Sequence, residues 1–184
     1  MTTNINPGRT VVLATDGACL GNPGTGGWAV VINELDGDAI ISRYALAGRA
    51  DGTTTNQRME LTAAYEGLKY LGASLIPATV LSDSRYLVDG MSQWRDGWKA
   101  NGWRKGDRKP VANVDLWIAL DEMCPPARPV QWQWTRGHDG HDLNEIADKL
   151  ANKAALGAFD DPAVSLMELH PELFQGSPKR CCVS

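Results

Sequence analysis

The order of the apolar runs along the chain limits its fold more than any other feature. A β-branched run, TVVLATDGAC, comes first and ends in a glycine-rich turn. Two further runs, GGWAVVINE and DAIISRYALA, flank a DG turn signal and predict the second and third strands of an antiparallel meander. Helical and strand patterns alternate after them. This order predicts an α/β fold in which helices cover a mixed sheet.

The segments after the meander supply the alternating part. TTTNQRMELTAAYEGLKYLGA has apolar residues at helical spacing, and Pro77 opens the strand ATVLSD. SRYLVDGMSQW predicts a helix, and the strand PVQWQW leads into the helix NEIADKLANKAAL. The pattern ends near Gly157. We therefore expect a poorly ordered tail over 157–184, in which VSLMEL is a candidate for a short docked helix.

The composition is that of an ordinary globular protein. The chain has 184 residues, 43% hydrophobic and 22% charged, which predicts one domain with a good core. No apolar stretch approaches the length of a membrane span, and MTTNINPGRT lacks the features of a signal peptide. The spacing of the four cysteines does not indicate zinc, and adjacent Cys181 and Cys182 can scarcely bridge each other, which favours a reducing compartment. We expect a cytoplasmic protein.

Four carboxylates lie where charge is costly. Each ends an apolar run or falls on the inner face of a predicted helix: Asp16, Glu60, Asp83 and Asp148. Four acids that converge on one point would repel each other, which implies bound divalent cations. Oxygen ligands suit Mg²⁺ or Mn²⁺. A metal pair held by carboxylates is a common arrangement for cleaving phosphodiesters.

Each of these acids also has a plainer interpretation when it is taken alone. Asp16 could form an Asx turn, and Glu60 could be a solvated helix residue. Asp83 could be a helix N-cap, and Asp148 could pair with a neighbouring lysine. Cys19 as a nucleophile is disfavoured because no activating histidine is near it in the sequence.

Five motifs taken together resemble one family. TDGACLGNPG, TNQRMELTAA, SDSRYLV, KPVANVDLW and the GHDGH run followed by NEIADKLA resemble type 1 ribonuclease H of the bacterial form, over about residues 10–156. The resemblance implies a ribonuclease H-like fold with a five-stranded mixed sheet whose first three strands are antiparallel. Residues 1–9 would be an N-terminal extension. It also implies hydrolysis of the RNA strand of RNA–DNA hybrids, leaving 5′-phosphate and 3′-hydroxyl ends.

The resemblance implies roles for the acids and for one histidine. Asp16 would bridge two Mg²⁺ ions, for which Mn²⁺ can substitute, one ion activating a water and the other stabilising the leaving oxygen. Glu60 and Asp83 would be further ligands, and Asp148 a more peripheral fourth. His138 lies between glycines in TRGHDGHD and titrates near neutrality. The resemblance implies that it handles protons or assists product release.

Two sets of substrate contacts are implied in the same way. Recognition of RNA needs polar groups beside the 2′-hydroxyls. Those implied for the RNA strand are Cys19, Gly21 and Asn22 of the LGNPG turn, then Gln57, Glu60 and Arg85. Those implied for the DNA strand are Thr55, Asn56 and Asn113.

The segment 84–110 differs in charge from the rest of the chain. It carries seven basic and three acidic residues, although the net charge of the chain is −4. Trp94, Trp98 and Trp103 interleave with bases such as Lys99. The resemblance implies a basic protrusion that grips the DNA backbone. The alternative is an exposed helix with a small aromatic core.

Three tryptophans outside that segment are expected to be mainly structural. Trp117 lies on a predicted helix, and Trp132 and Trp134 lie on the last predicted strand. Because the strand pair is two residues apart, both side chains should share a face of the sheet. We expect Trp117 and one of the pair to belong to the core.

Three rival functions keep part of this pattern. Transposases, resolvases and exonucleases share related sheets but would cut DNA, and an idle hybrid-binding module would need no complete set of acids. A phosphotransferase would need a GxxxxGK[ST] loop, which the sequence lacks.

We expect a monomer that binds no membrane and, with no hybrid-binding domain before residue 10, acts distributively. A contact of the tail with a single-stranded-DNA-binding protein has no residue in its favour.

Overall fold

The computed structural model describes residues 8–136 and 142–158, together with the backbone of 165–167. His138 and most of the predicted tail therefore lie outside the described residues. The strands are β1 (Arg9–Leu20), β2 (Gly24–Asp36), β3 (Ala39–Thr54), β4 (Ala78–Ser82), β5 (Val130–Trp134) and β6 (Ser165–Met167). The helices are α1 (Asn56–Tyr70), α2 (Arg85–Asp89), a π-helical segment (Gly90–Trp94), α3 (Arg95–Ala100), α4 (Val114–Glu122) and α5 (Asp142–Ala155).

The strands form one mixed sheet in the order β5-β4-β1-β2-β3-β6. β1, β2 and β3 pair antiparallel, whereas β4 pairs parallel with both β1 and β5. This arrangement confirms the predicted five-stranded mixed sheet and adds a short sixth strand.

The short helix considered over VSLMEL is wrong for residues 165–167. They pair antiparallel with Ala45–Ala47 of β3 as β6. The physical reason is that β3 would otherwise be an edge strand, and its unpaired N–H and C=O groups accept an added strand.

Helices cover both faces of the sheet. Val30 and Ile32 of β2 belong to the core cluster beneath α1 and α4, whereas Ala29 and Val31 belong to the cluster beneath α5. Because both of its faces are buried, β2 is a continuous apolar run rather than an alternating one. In the part of the chain that the structure describes, no helix has the length and apolarity needed to cross a bilayer.

Candidate active site

Two of the predicted acids lie beside each other where β4 ends. Asp16 does not end β1, because the pairing of β1 with β2 continues as far as Leu20. β1 and β4 run parallel with Ala14 opposite Leu81, so the residues that follow this pair lie near each other. Asp16 comes two residues after Ala14 and is only 7% exposed. Its Oδ1 accepts a hydrogen bond of 2.7 Å from the backbone N–H of Gly17. Asp83 directly follows β4 and is half-buried.

The helix cap after β4 is provided by the residue after Asp83. The Ser84 hydroxyl accepts a hydrogen bond of 3.4 Å from the backbone N–H of Leu87, which caps α2. The plainer interpretation of Asp83 as the N-cap of this helix is therefore wrong. Asp83 is placed at the junction between strand and helix without serving as its cap.

Gly17 allows α1 to approach β1 closely. A Cβ atom at Gly17 would lie 2.3 Å from the backbone nitrogen of Glu60 and 2.5 Å from the backbone carbon of Met59. No side chain fits there, because backbone atoms cannot yield as a flexible side chain can. The missing Cβ atom thus places Glu60 beside Asp16.

Glu60 is a buried acid with one unused oxygen. It is 6% exposed, and its Oε1 accepts a hydrogen bond of 3.3 Å from Asn56 Nδ2. Its Oε2 is buried without a hydrogen-bond partner, which is costly for a carboxylate. Carboxylate oxygens of Asp16, Glu60 and Asp83 all lie within 4.8 Å of one another. These three residues, called the acid cluster below, fit a hard divalent cation in both chemistry and spacing.

Electrostatics in the acid cluster oppose its ionisation in the absence of a cation. Burial raises the pKa of Asp16 to about 7, and the charges of Asp83 and Asp148 add to the effect. Burial, followed by the charges of Asp16 and Asp83, raises the pKa of Glu60 well above its usual range. A bound cation would reverse this balance, because it favours the ionised carboxylates.

Asp148 lies beside the acid cluster. It is on α5, the helix that packs over Ala14 and Ala18 of β1. Its charge contributes to the raised pKa of Asp16, so the two carboxyl groups are neighbours. Its Oδ1 also accepts a hydrogen bond of 2.8 Å from Asn152 Nδ2. Its role as a fourth, more peripheral ligand stays a prediction.

The turn between β1 and β2 is tied to the start of α1. The Asn22 side chain accepts a hydrogen bond of 3.2 Å from the backbone N–H of Asn56, and Gly21 has the positive φ of +74° that the turn requires. The Cys19 thiol donates to a backbone carbonyl of β3 at 3.4 Å. Gln57 is exposed on the first turn of α1. The implied RNA-facing residues thus surround the same end of α1 that carries Glu60.

The implied DNA-facing residues are linked by a network that the sequence did not reveal. Thr55 caps α1 by accepting from the backbone N–H of Arg58 at 3.4 Å. Arg58 Nη1 donates to Asn113 Oδ1 at 3.4 Å and forms a two-point ion pair with Asp115. Asn113 Nδ2 donates to the Tyr86 hydroxyl at 3.2 Å. The only sequence signal for Arg58 was its place in the NQRMEL motif.

The tryptophans of the 84–110 segment are divided between the core and the surface. Trp98 and Trp103 are partly buried against the main core cluster, and the Trp98 ring lies 5.2 Å from that of Trp117. Trp94 is 40% exposed. Lys99 pairs with Asp121 at 2.7 Å. The packing alternative thus describes two of the three tryptophans, while contact of the segment with DNA stays a prediction.

The three tryptophans expected to be mainly structural lie largely as predicted. Trp117 is fully buried, and Trp132 and Trp134 share a half-buried face of β5. Trp134 also contacts the site, which the sequence analysis missed. Its Nε1 donates to the backbone carbonyl of Asp83 at 2.9 Å, and the Arg85 guanidinium lies 3.9 Å above its ring centre.

Comparisons with known proteins agree with this geometry. The RNase H family model matches residues 8–156. A ribonuclease H of Paracoccus denitrificans is 48% identical over 151 residues, covering 82% of this chain and 95% of that protein. One of Hydrogenovibrio crunogenus is 47% identical over 152 residues, covering 79% and 95%.

Solved structures share the fold. The crystal structure of LC9-RNase H1, a type 1 RNase H with the type 2 active-site motif, has a TM-score of 0.75 at 29% identity, covering 88% of this chain and 79% of its own. LC11-RNase H1 in complex with an RNA/DNA hybrid has a TM-score of 0.58 at 23% identity, covering 81% and 99%. The family model and the close relatives, with an acid cluster at the meeting of β1, β4 and α1, show that the chain belongs to the RNase H family of enzymes.

Proposed function

We propose that this chain hydrolyses the RNA strand of RNA–DNA hybrids with two Mg²⁺ ions, leaving 5′-phosphate and 3′-hydroxyl ends. One observation carries the proposal. The acid cluster gathers three carboxylates within 4.8 Å, two of them buried, and one of their oxygens has no hydrogen-bond partner. Such an arrangement is unfavourable unless a cation occupies it. Relatives at 46–48% identity that are named ribonuclease H support the assignment.

The residues of the chain would divide the work as follows. Asp16, Glu60 and Asp83 would hold the cations, with Asp148 beside them. When bound, the cations would supply an activated water and stabilise the leaving 3′-oxygen. Asn56 orients Glu60 by donating to its Oε1, while Asn22 fixes the turn that would face the sugar.

A cleavage assay tests the proposal. A 5′-labelled RNA strand would be annealed to DNA and incubated with Mg²⁺ or with a chelator, beside RNA–RNA and DNA–DNA duplexes. We expect metal-dependent cleavage of the hybrid alone, with a phosphate on the downstream fragment and a 3′-hydroxyl on the upstream one. The Asp16→Asn variant should bind the hybrid without cutting it.

The Asp38→Asn variant is the matched control. Asp38 is an exposed acid in the turn between β2 and β3, at the far end of those strands from Asp16. It should leave cleavage unchanged. Cleavage of DNA would instead favour a transposase-like nuclease, and tight hybrid binding without any cleavage would favour an idle binding module.

A further inference from the structure

The indole ring of Trp134 makes two polar contacts with the segment that contains Asp83. Its Nε1–H donates to the backbone carbonyl of Asp83 at 2.9 Å. Its face lies 3.9 Å below the guanidinium carbon of Arg85. One side chain from β5 thus touches both a member of the acid cluster and the cation two residues after it.

The sheet places Trp134 there by register. β5 runs parallel to β4, and Trp134 is opposite Ser82, the last residue of β4. The next backbone N–H, that of Thr135, donates to the Ser82 carbonyl at 3.0 Å. The ladder therefore continues to the point where the chain turns into α2, and the Trp134 ring lies beside that turn.

The indole N–H of Trp134 holds the backbone of Asp83 in place. Asp83 lies after the last paired residue of β4 and before the cap of α2, so the ladder itself leaves its carbonyl outside the β4–β5 pairing. The indole donor fixes this peptide group. A fixed peptide limits where the Asp83 carboxylate can point, and catalytic ligands need positions held to within a fraction of an ångström.

The face of the Trp134 ring restricts the orientation of the Arg85 guanidinium. A guanidinium held over an indole face is attracted to the ring and can still direct N–H groups towards phosphate oxygens. Arg85 is exposed and begins α2, one residue beyond the cap. The contact with the ring therefore restricts a long side chain that would otherwise sample many orientations in water.

We infer that Trp134 is a positioning residue for the acid cluster and for the substrate-binding cation beside it. Its N–H sets the orientation of Asp83 and thereby affects the rate of the chemical step. Its ring face sets the orientation of Arg85 and thereby affects the affinity for the RNA phosphates. The inference rests on the proposed function, because it assigns these effects to hydrolysis of a hybrid.

Two substitutions separate the two contacts. Trp134→Phe keeps an aromatic face but removes the N–H donor, so kcat should fall about threefold to tenfold, the cost of one lost hydrogen bond. The Kd for an uncut hybrid, measured in chelator, should change less than about twofold because the face remains. Trp134→Leu removes both, so it should also weaken binding in chelator, by about threefold.

The experiment combines these variants with a control and a double-mutant cycle. Trp132→Phe is the control, since Trp132 lies on the same face of the same strand but packs against the main core cluster. Arg85→Gln should weaken binding in chelator and reduce its salt dependence. In the Trp134→Leu background, Arg85→Gln should have a smaller effect than in the wild type. Thermal unfolding of every variant shows that all are compared below their Tm.

The outcomes are distinct. If Trp134→Phe lowers kcat no more than Trp132→Phe does, or if Arg85 and Trp134 act additively on binding, the inference is overturned. If Trp134→Leu does not fold, the comparison of kcat between Trp134→Phe and Trp132→Phe still decides the inference for Asp83. A wild-type protein that fails to cut the hybrid would overturn the proposed function as well, and that result is visible before any variant is compared.

Discussion

The acid cluster and the 84–110 segment are held together in opposite ways. In the acid cluster, burial and mutual repulsion raise the pKa values of Asp16 and Glu60, and one oxygen of Glu60 has no partner. In the 84–110 segment, by contrast, aromatic and charged side chains make favourable contacts with their neighbours. Trp94 and Trp98 have ring centres 5.6 Å apart, and Lys99 pairs with Asp121.

The difference shows where function and stability are separate. The acid cluster is assembled against its own electrostatics, which is typical of a site that awaits a charged ligand. The aromatic packing of the segment, which extends to Trp117, contributes to the core whether or not nucleic acid is present. Substitutions in the two regions should therefore change activity and stability in opposite proportions.

The largest expected effect is that of Asp16→Asn. It should reduce cleavage by roughly a thousandfold or more, because it removes a carboxylate that would hold the cations. It should also raise the free energy of unfolding of the metal-free protein, by about 1 to 3 kcal/mol, because it removes a buried and repelled charge. Urea unfolding in chelator at pH 8 checks the second part. A less stable variant would show that the acid cluster is not under electrostatic strain.

Trp117→Ala should show the reverse pattern. Trp117 is fully buried, and its ring contacts those of Tyr86 and Trp98. Its truncation should lower the free energy of unfolding by about 3 to 5 kcal/mol. At a temperature where the variant is still folded, we expect metal-dependent cleavage to persist. Circular dichroism and the cleavage assay at matched temperatures test this, and a folded but inactive variant would contradict it.

The pH dependence of stability should be unusual in the metal-free protein. The pKa of Asp16 is about 7 when folded and near 3.8 when unfolded, so the folded state retains a proton that the unfolded state loses between those values. The Asp16 contribution to the free energy of unfolding should therefore decrease as pH rises from about 4 to about 7. Mg²⁺ should oppose the decrease, and Asp16→Asn should reduce it. A free energy of unfolding in chelator that depends equally on pH in wild type and variant would contradict the assignment.

The smallest expected effect is that of Lys99→Gln. Its ion pair with Asp121 is exposed on the lysine side, so the free energy of unfolding should change by less than about 0.5 kcal/mol. If the segment grips the DNA backbone, hybrid affinity should fall about twofold to fivefold and the salt dependence should weaken. Asp121→Asn is the control, because it breaks the same pair without removing the cation. Equal affinities for Lys99→Gln and wild type at low salt would place Lys99 outside the interface.

The residues differ in how far the sequence could predict their places. Asp16 and Asp83 each follow an apolar run on neighbouring parallel strands, so local patterns indicated that they converge, although β1 continues past Asp16 to Leu20. The contact of Trp134 with Asp83 joins residues 51 apart, and its N–H could have found many acceptors. The pairing of Arg58 with Asp115 is of the same kind. Such side-chain pairings depend on register and rotamer, which periodicity does not encode.

The close contact between Gly17 and α1 limits how such a site could arise or be rebuilt. The volume that a Cβ atom would need is filled by the backbone of α1, not by a side chain that a second mutation could shorten. No single compensating replacement could therefore rescue a larger residue at this position. Transfer of the three acids to another sheet would also require this glycine and a helix packed at the same distance from the sheet. The site thus depends on the packing distance between the backbones of β1 and α1 as much as on its carboxylates.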